Sequence, residues 1–218
     1  MIRRRLDSGD LLVSQAAHAA HAGRLAQMLR NLPEPRDALL RAVALHDAGW
    51  PILDDWPEPL ADGRPPHVLD HPAGATAEAW RRSISIARAS GPFEGLLVSR
   101  HFSGFSAAFA REQADQQAAW AIGIDPAAIA AGLRVLQFCD SLSLLLLAGP
   151  GEGVALPAGF RLKEGELHPW PFGPPQIEDA LPGRLIPRRS WGSAQALQSA
   201  CQAARWISLP ISIRAGQQ

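Results

Sequence analysis

The stretch over residues 126–147 is the most hydrophobic in the chain, and an aspartate stands in the middle of its apolar stripe. Leu133, Leu136, Asp140, Leu144 and Leu147 recur at steps of three or four, the spacing that lines side chains along one face of a helix. A carboxylate on such a face is costly to bury unless something cationic meets it. Any fold this chain adopts must therefore bring a positive partner to Asp140.

The same placement recurs elsewhere. His46 continues the stripe of Leu39 and Val43, with Asp47 beside it and Trp50 one turn further on. His18 falls with Ala22, Leu25 and Leu29, and His101 lies between Leu97 and Phe105 at four-residue steps. His71 precedes Pro72, a natural helix start. Each residue alone reads as a hydrogen-bonded core group, and Asp140 alone could pair with Arg24 or Arg100. Together they place a histidine or aspartate inward on four helices, and neutral imidazole with carboxylate is the ligand set of zinc, iron and manganese. His21 sits one turn from His18, but His18 continues the stripe and is the expected ligand.

Around these residues the pattern predicts a mainly α fold. Residues 2–6 and 11–13 flank a turn-rich Asp7–Asp10 and read as an opening hairpin. Helices are expected over 15–32, 36–49, 72–90, 92–105, 107–122 and 126–147, the last closed by Gly149, Pro150 and Gly151. Between them, 51–70 is rich in proline, glycine and aspartate and reads as a long loop over a functional site. After Gly151 short strands at 184–187 and 207–213 surround a helix at 194–206, an α+β tail expected to pair with the hairpin as a small sheet. The whole reads as one domain over 1–218, with a helical core at 15–148 and accessory parts at 1–14 and 151–218.

Lysine plus arginine equals aspartate plus glutamate at 21 each, so composition supplies no long-range field toward nucleic acid or an anionic membrane. The longest apolar run, Leu142 to Ala148, is short for a membrane span, and no apolar segment follows Arg3, Arg4 and Arg5. Cys139 and Cys201 lack CxxC partners, which argues against a disulfide framework. A cytoplasmic location is expected.

The order His18, His46-Asp47 and a distant Asp140 resembles the H…HD…D signature of the HD-domain metal-dependent phosphohydrolases, and Ala44 to Trp50 looks like that superfamily's second-helix motif. With His71 and His101 the set is similar to the H…HD…H…H…D arrangement of two-metal members, which include cyclic-nucleotide phosphodiesterase-like enzymes and a branch of di-iron oxygenases. Ser14-Gln15, His46 to Trp50, Ser99 to Phe102 and His168 to Phe172 also resemble segments of an uncharacterised bacterial family that carries this signature over nearly its whole length. The glycine-tyrosine-proline motif of one signalling branch is absent.

The resemblance implies an HD-domain-like helical bundle with a small β element. It implies one metal held by His18, His46, Asp47 and Asp140, and a second held by His71 and His101 with Asp47 as the bridge, so that one or two divalent ions (Mn, Fe, Zn or Ni) serve each chain. Asp47, His71 and His101 are the expected catalytic residues, and Arg24, Arg100 and Trp50 the expected substrate contacts. Asp54, Asp55 and Trp56 could form a lid, and His168, Trp170 and Phe172 could bring the tail over the cleft. The implied reaction is hydrolysis of a small phosphoester or nucleotide by a metal-activated water, with a di-iron oxygenase or a non-catalytic metal-containing sensor as alternatives. The expected partner is a small-molecule phosphoester, with neither nucleic acid nor membrane, and a homodimer is left open.

Overall fold

In the computed structural model, which describes residues 1–71, 73–149 and 154–216, the helices pack against a curled seven-stranded sheet. The expected starts and stops at Pro72, Pro150 and Gly151 lie outside the described residues. The chain opens with β1 (Ile2–Leu6) and β2 (Gly9–Val13), paired antiparallel from Ile2 opposite Val13 to Leu6 opposite Gly9. Then come α1 (Gln15–Gln27), α2 (Arg36–Leu45), the single turn α3 (Pro51–Asp54), α4 (Ala73–Ser90), α5 (Pro92–Ser103), α6 (Ala107–Trp120) and α7 (Pro126–Ala148). The remainder is β3 (Val154–Ala155), β4 (Arg161–Lys163), β5 (Glu166–His168), β6 (Gln176–Ile186), α8 (Ala194–Ala203) and β7 (Arg205–Ala215).

Local chemistry sets the helix starts. Ser14, Ser106, Asp125 and Ser193 each accept a backbone N–H of the following turn, capping α1, α6, α7 and α8, and proline opens α5 and α7 where its missing donor costs nothing. By length and composition α7 is the one described helix that could cross a membrane. Here it is the central strut of the protein, with Leu136, Cys139, Leu142 and Leu147 fully buried against the other helices and the sheet.

The expectation of a mainly α bundle with a small β element is overturned. The chain is 52% helical and 20% strand, with one seven-stranded sheet in the order β1-β2-β6-β7-β5-β4-β3. The short strand read at 184–187 is the end of one eleven-residue strand, β6, and that read at 207–213 the middle of another, β7, paired from Gln176 opposite Arg214 to Leu185 opposite Arg205. Pro182 in β6 and Pro210 in β7 cannot donate to a ladder. The alternation along β7 is nevertheless regular: Leu209, Ile211 and Ile213 are buried while Ser208, Pro210 and Ser212 are exposed. β2 joins the hairpin to β6, and β5 joins β7 in the sheet's one parallel pairing.

One face of the sheet shares the main core with the helices. At its other face Leu12, Ile186 and Trp191 pack with Leu197 and Cys201 of α8 in a smaller second core. β2 is buried on both sides in consequence, and it delivers the chain into α1 at a fixed place. The helices are shorter than the periodicity implied. α1 ends at Gln27, and α2 ends at Leu45, so His46 and Asp47 stand on the turn that follows the helix.

Candidate metal centre

Four segments converge at one end of the helical layer. α1 contributes His18 and Gln15, the turn after α2 contributes His46 and Asp47, α5 contributes His101, and α7 contributes Asp140 and Ser143. His18 and His46 have no exposed surface, and His101, Asp47 and Asp140 have only 3%, 5% and 7%. His18 Nε2 lies 2.9 Å from Asp140 Oδ1 and 3.9 Å from Asp47 Oδ2. His46 Nε2 lies 3.4 Å from Asp140 Oδ1 and 3.5 Å from Asp47 Oδ2, and His101 Nε2 lies 3.6 Å from Asp140 Oδ2. Two overlapping groups, His18-His46-Asp47 and His46-His101-Asp140, each bring one ligand atom per residue within 4.8 Å of one another.

The outer sides of the rings settle which nitrogen faces the cluster. His46 Nδ1 is 2.7 Å from the Val43 carbonyl, which can only accept, so the Nδ1–H is spent there. The Ser143 hydroxyl donates to the His18 carbonyl and lies 2.8 Å from both His18 Nδ1 and His21 Nδ1. With one proton to give, it accepts from at least one of the two rings. Neutral His46 therefore aims its Nε2 lone pair at two carboxylates, an arrangement that a proton or a metal cation satisfies, and His18 Nε2 faces the same two carboxylates. Buried His46 Nε2 has no hydrogen bond of its own. Gln15 completes the shell by donating from Nε2 to Asp47 Oδ2 at 3.2 Å. The donor set, imidazole nitrogen with carboxylate oxygen, fits a divalent transition metal, and these buried groups can hold one.

The electrostatics agree with the geometry. Burial raises the Asp47 carboxyl above its usual range, opposed by the charges of His46 and His18. Burial acts the same way on Asp140, but the His18 ring bonded to it at 2.9 Å and the His46 imidazole beside it hold it well below the ordinary carboxylate value. For His46, burial is outweighed by Asp47 and Asp140, which raise it to about 9, so that without a cation a proton takes its place. His101, facing fewer charges, is lowered by burial to about 4.

The cluster forms the floor of a cavity of about 370 Å³, into which Asp47, His101 and Asp140 open. Trp50 and His71 line it, 6.0 Å apart between ring centres. His71 shares the cavity but belongs to neither ligand group. The loop read at 51–70 does lie over the centre, through Val68 and Leu69. The two arginines are not brought to the cavity. Arg24 pairs with Asp179 of β6 at 2.7 Å, and Arg100 is exposed on α5. Neither pairs with Asp140, whose ionic partners among the described residues are histidines. Asp54 accepts the Gln15 backbone N–H at 2.6 Å, tying the loop to α1. The expected lid residues Asp55 and Trp56 are exposed, and the tail aromatics pack elsewhere, with Phe172 buried against Phe138 and Trp170.

Gln15 and Ser143 carried signals that periodicity alone does not read as functional. Ser143 stands one turn after Asp140, and Gln15 one turn before His18, each sharing a stripe with one member of the cluster while it bonds another. No curated protein and no solved structure matches the chain. The profile of the family described as "Protein of unknown function (DUF3891)" matches residues 1–188, which include every residue of the centre. The chain belongs to the DUF3891 family.

Proposed function

We propose that the protein is a metal-dependent phosphohydrolase of the HD type, acting on a small-molecule phosphoester in the cytoplasm. The observation that carries this reading is the convergence of the His18 and His46 Nε2 atoms with the Asp47 and Asp140 carboxylates on one buried point that opens into a cavity. A divalent cation bound there supplies the Lewis acidity that activates water and neutralises charge on a phosphoryl oxygen. The chain's own residues do the rest. Val43, Ser143 and Gln15 orient His46, His18 and Asp47 through the hydrogen bonds given above, so the ligands need not reorganise. Asp47, at the cavity floor, is placed to accept a proton from water. His71, in the wall and kept neutral by burial, is placed to accept a proton from water in the cavity. His101 lies with the ligand set, which supports one ion bound by five side chains more directly than a second ion held by His71 and His101.

The test is metal analysis of protein purified without chelator, followed by a panel of phosphoesters with and without added manganese. Stoichiometric metal with manganese-dependent phosphate release is the expected result. A chain that binds no divalent ion would overturn the reading. A second reading, an iron oxygenase, is favoured by one observation: no arginine or lysine is among the described residues lining the cavity. Oxygen uptake by the iron-loaded protein, without phosphate release by the manganese form, would select it.

A further inference from the structure

The walls of the cavity differ in character from its floor. Trp80 stacks on Phe102 with ring centres 5.3 Å apart and 15° between planes. Phe105 lies 6.2 Å from Trp80 and meets His101 edge-on at 5.0 Å. A continuous aromatic surface thus runs from the mouth down to a member of the ligand cluster. Trp50, Val68 and Leu144 close the other sides. At the mouth Leu69 is 83% exposed and Phe105 62% exposed, two large apolar side chains left in water on either side of the opening.

Charge is distributed the opposite way. Polar lining outside the cluster is neutral, from Gln15, Thr76 and Ser141, together with His71, whose imidazole burial keeps from protonating. A di- or triphosphate needs a guanidinium fork or several ammonium groups along its length, and this lining supplies neither. The floor can meet one compact anionic group through a bound cation. The aromatic wall can accept only an apolar body, and by burying it gains the free energy that charge does not provide. The cavity volume of about 370 Å³ is in the range of sites for small organic ligands.

Resting on the metal-centre reading above, we infer that the substrate has a single anionic head and an apolar, ring-sized body, an aryl or similarly hydrophobic monoester, and is not a nucleoside polyphosphate. The head faces the Asp47–Asp140 floor, and the body lies on Trp80, Phe102 and Phe105.

The experiment uses the manganese-loaded full chain and non-hydrolysable probes, so that binding is read apart from turnover. Calorimetry compares 1-naphthylphosphonate with methylphosphonate, and kinetics compares 1-naphthyl phosphate with glycerol 2-phosphate and ATP. The expected result is binding of the naphthyl probe at least about tenfold tighter than the methyl one. Leu69→Ser, which alters a side chain 83% exposed, should reduce that ratio while methylphosphonate affinity stays the same, and Phe105→Ser, which also removes the ring against His101, should reduce it further. Equal affinities for the two phosphonates, or preferred hydrolysis of ATP, would overturn the inference while leaving the phosphohydrolase reading standing. Tight, metal-dependent naphthyl binding with no turnover of any phosphoester would uphold the ligand class and overturn the phosphohydrolase reading.

Discussion

At the scale of single residues, the centre is defined as much by hydrogen bonds on its outer side as by the ligands. Ser143 bonds the His18 carbonyl and lies 2.8 Å from His18 Nδ1, which holds the ring with Nε2 toward the cluster. Ser143→Ala should therefore lower metal affinity about 10- to 100-fold without unfolding the protein, measured by competition against a chelator; unchanged affinity would remove Ser143 from the shell. Asp140 separates two roles in one substitution. In the metal-free protein it is the counter-charge to His46, whose pKa it helps raise to about 9. Asp140→Asn is expected both to abolish stoichiometric metal binding and to cost the chelated protein about 1–3 kcal/mol, through the lost bond to a charged imidazole. A variant that retained full metal occupancy would show that Asp140 is a structural anion only.

At the scale of elements, the ligand pair His46-Asp47 depends on how the turn after α2 seats against α4. Gly49 is the contact point. Its N–H donates to Ser83 Oγ at 2.9 Å, and a Cβ built there would stand 2.3 Å from the Ala79 carbonyl oxygen and 2.4 Å from the Ser83 nitrogen, both backbone atoms that cannot rotate away. Gly49→Ala must therefore push the turn off the helix. The expected loss of stability is about 1–3 kcal/mol, read by urea denaturation, and metal content should fall with it because both ligands ride on the displaced turn. If Gly49→Ala bound metal normally, the turn and the centre would be uncoupled.

At the scale of the whole molecule, the sheet and the helical layer meet the centre through His21. Its Nδ1 shares Ser143 with His18, and its Nε2 lies 3.8 Å from Asp179 of β6, which also holds Arg24. Burial lowers His21 to about 4 in the folded protein, against 6.5 for an ordinary histidine. Between those values the unfolded chain binds a proton that the native state refuses, so stability is full above about pH 6.5 and falls as pH drops toward 4. The share of one such group is at most roughly 3 kcal/mol. In chelated protein, His21→Gln should flatten the decline in unfolding free energy over this interval relative to wild type, while leaving the part due to His101, which is lowered in the same direction. Identical slopes for the two proteins would show that His21 does not titrate with folding.

Periodicity alone determined that His18, His46, His101 and Asp140 would be buried, because a stripe of apolar residues at three- and four-residue steps has one dry side and these four stand on it. Local sequence also located the close of α7 at Gly149 and the loop that roofs the centre, since these depend on a few neighbouring residues. Direction and partnership were not legible. Arg24 and Arg100 have the right chemistry for an anion and sit near ligands in sequence, yet one faces Asp179 and the other water. A helical residue's outward bearing is chosen by whatever packs beside the helix. The seven-stranded sheet was hidden for the same reason: β2 pairs with β6 across most of the chain, and strand formation draws on partners far away in sequence more than on local preference. The aromatic wall of the cavity, assembled from Trp80 on α4 with Phe102 and Phe105 at the end of α5, exists only once those segments meet. What a segment buries was set by its own spacing of side chains, and what it buries them against was decided by tertiary packing, where long-range contacts choose among faces that are locally equivalent.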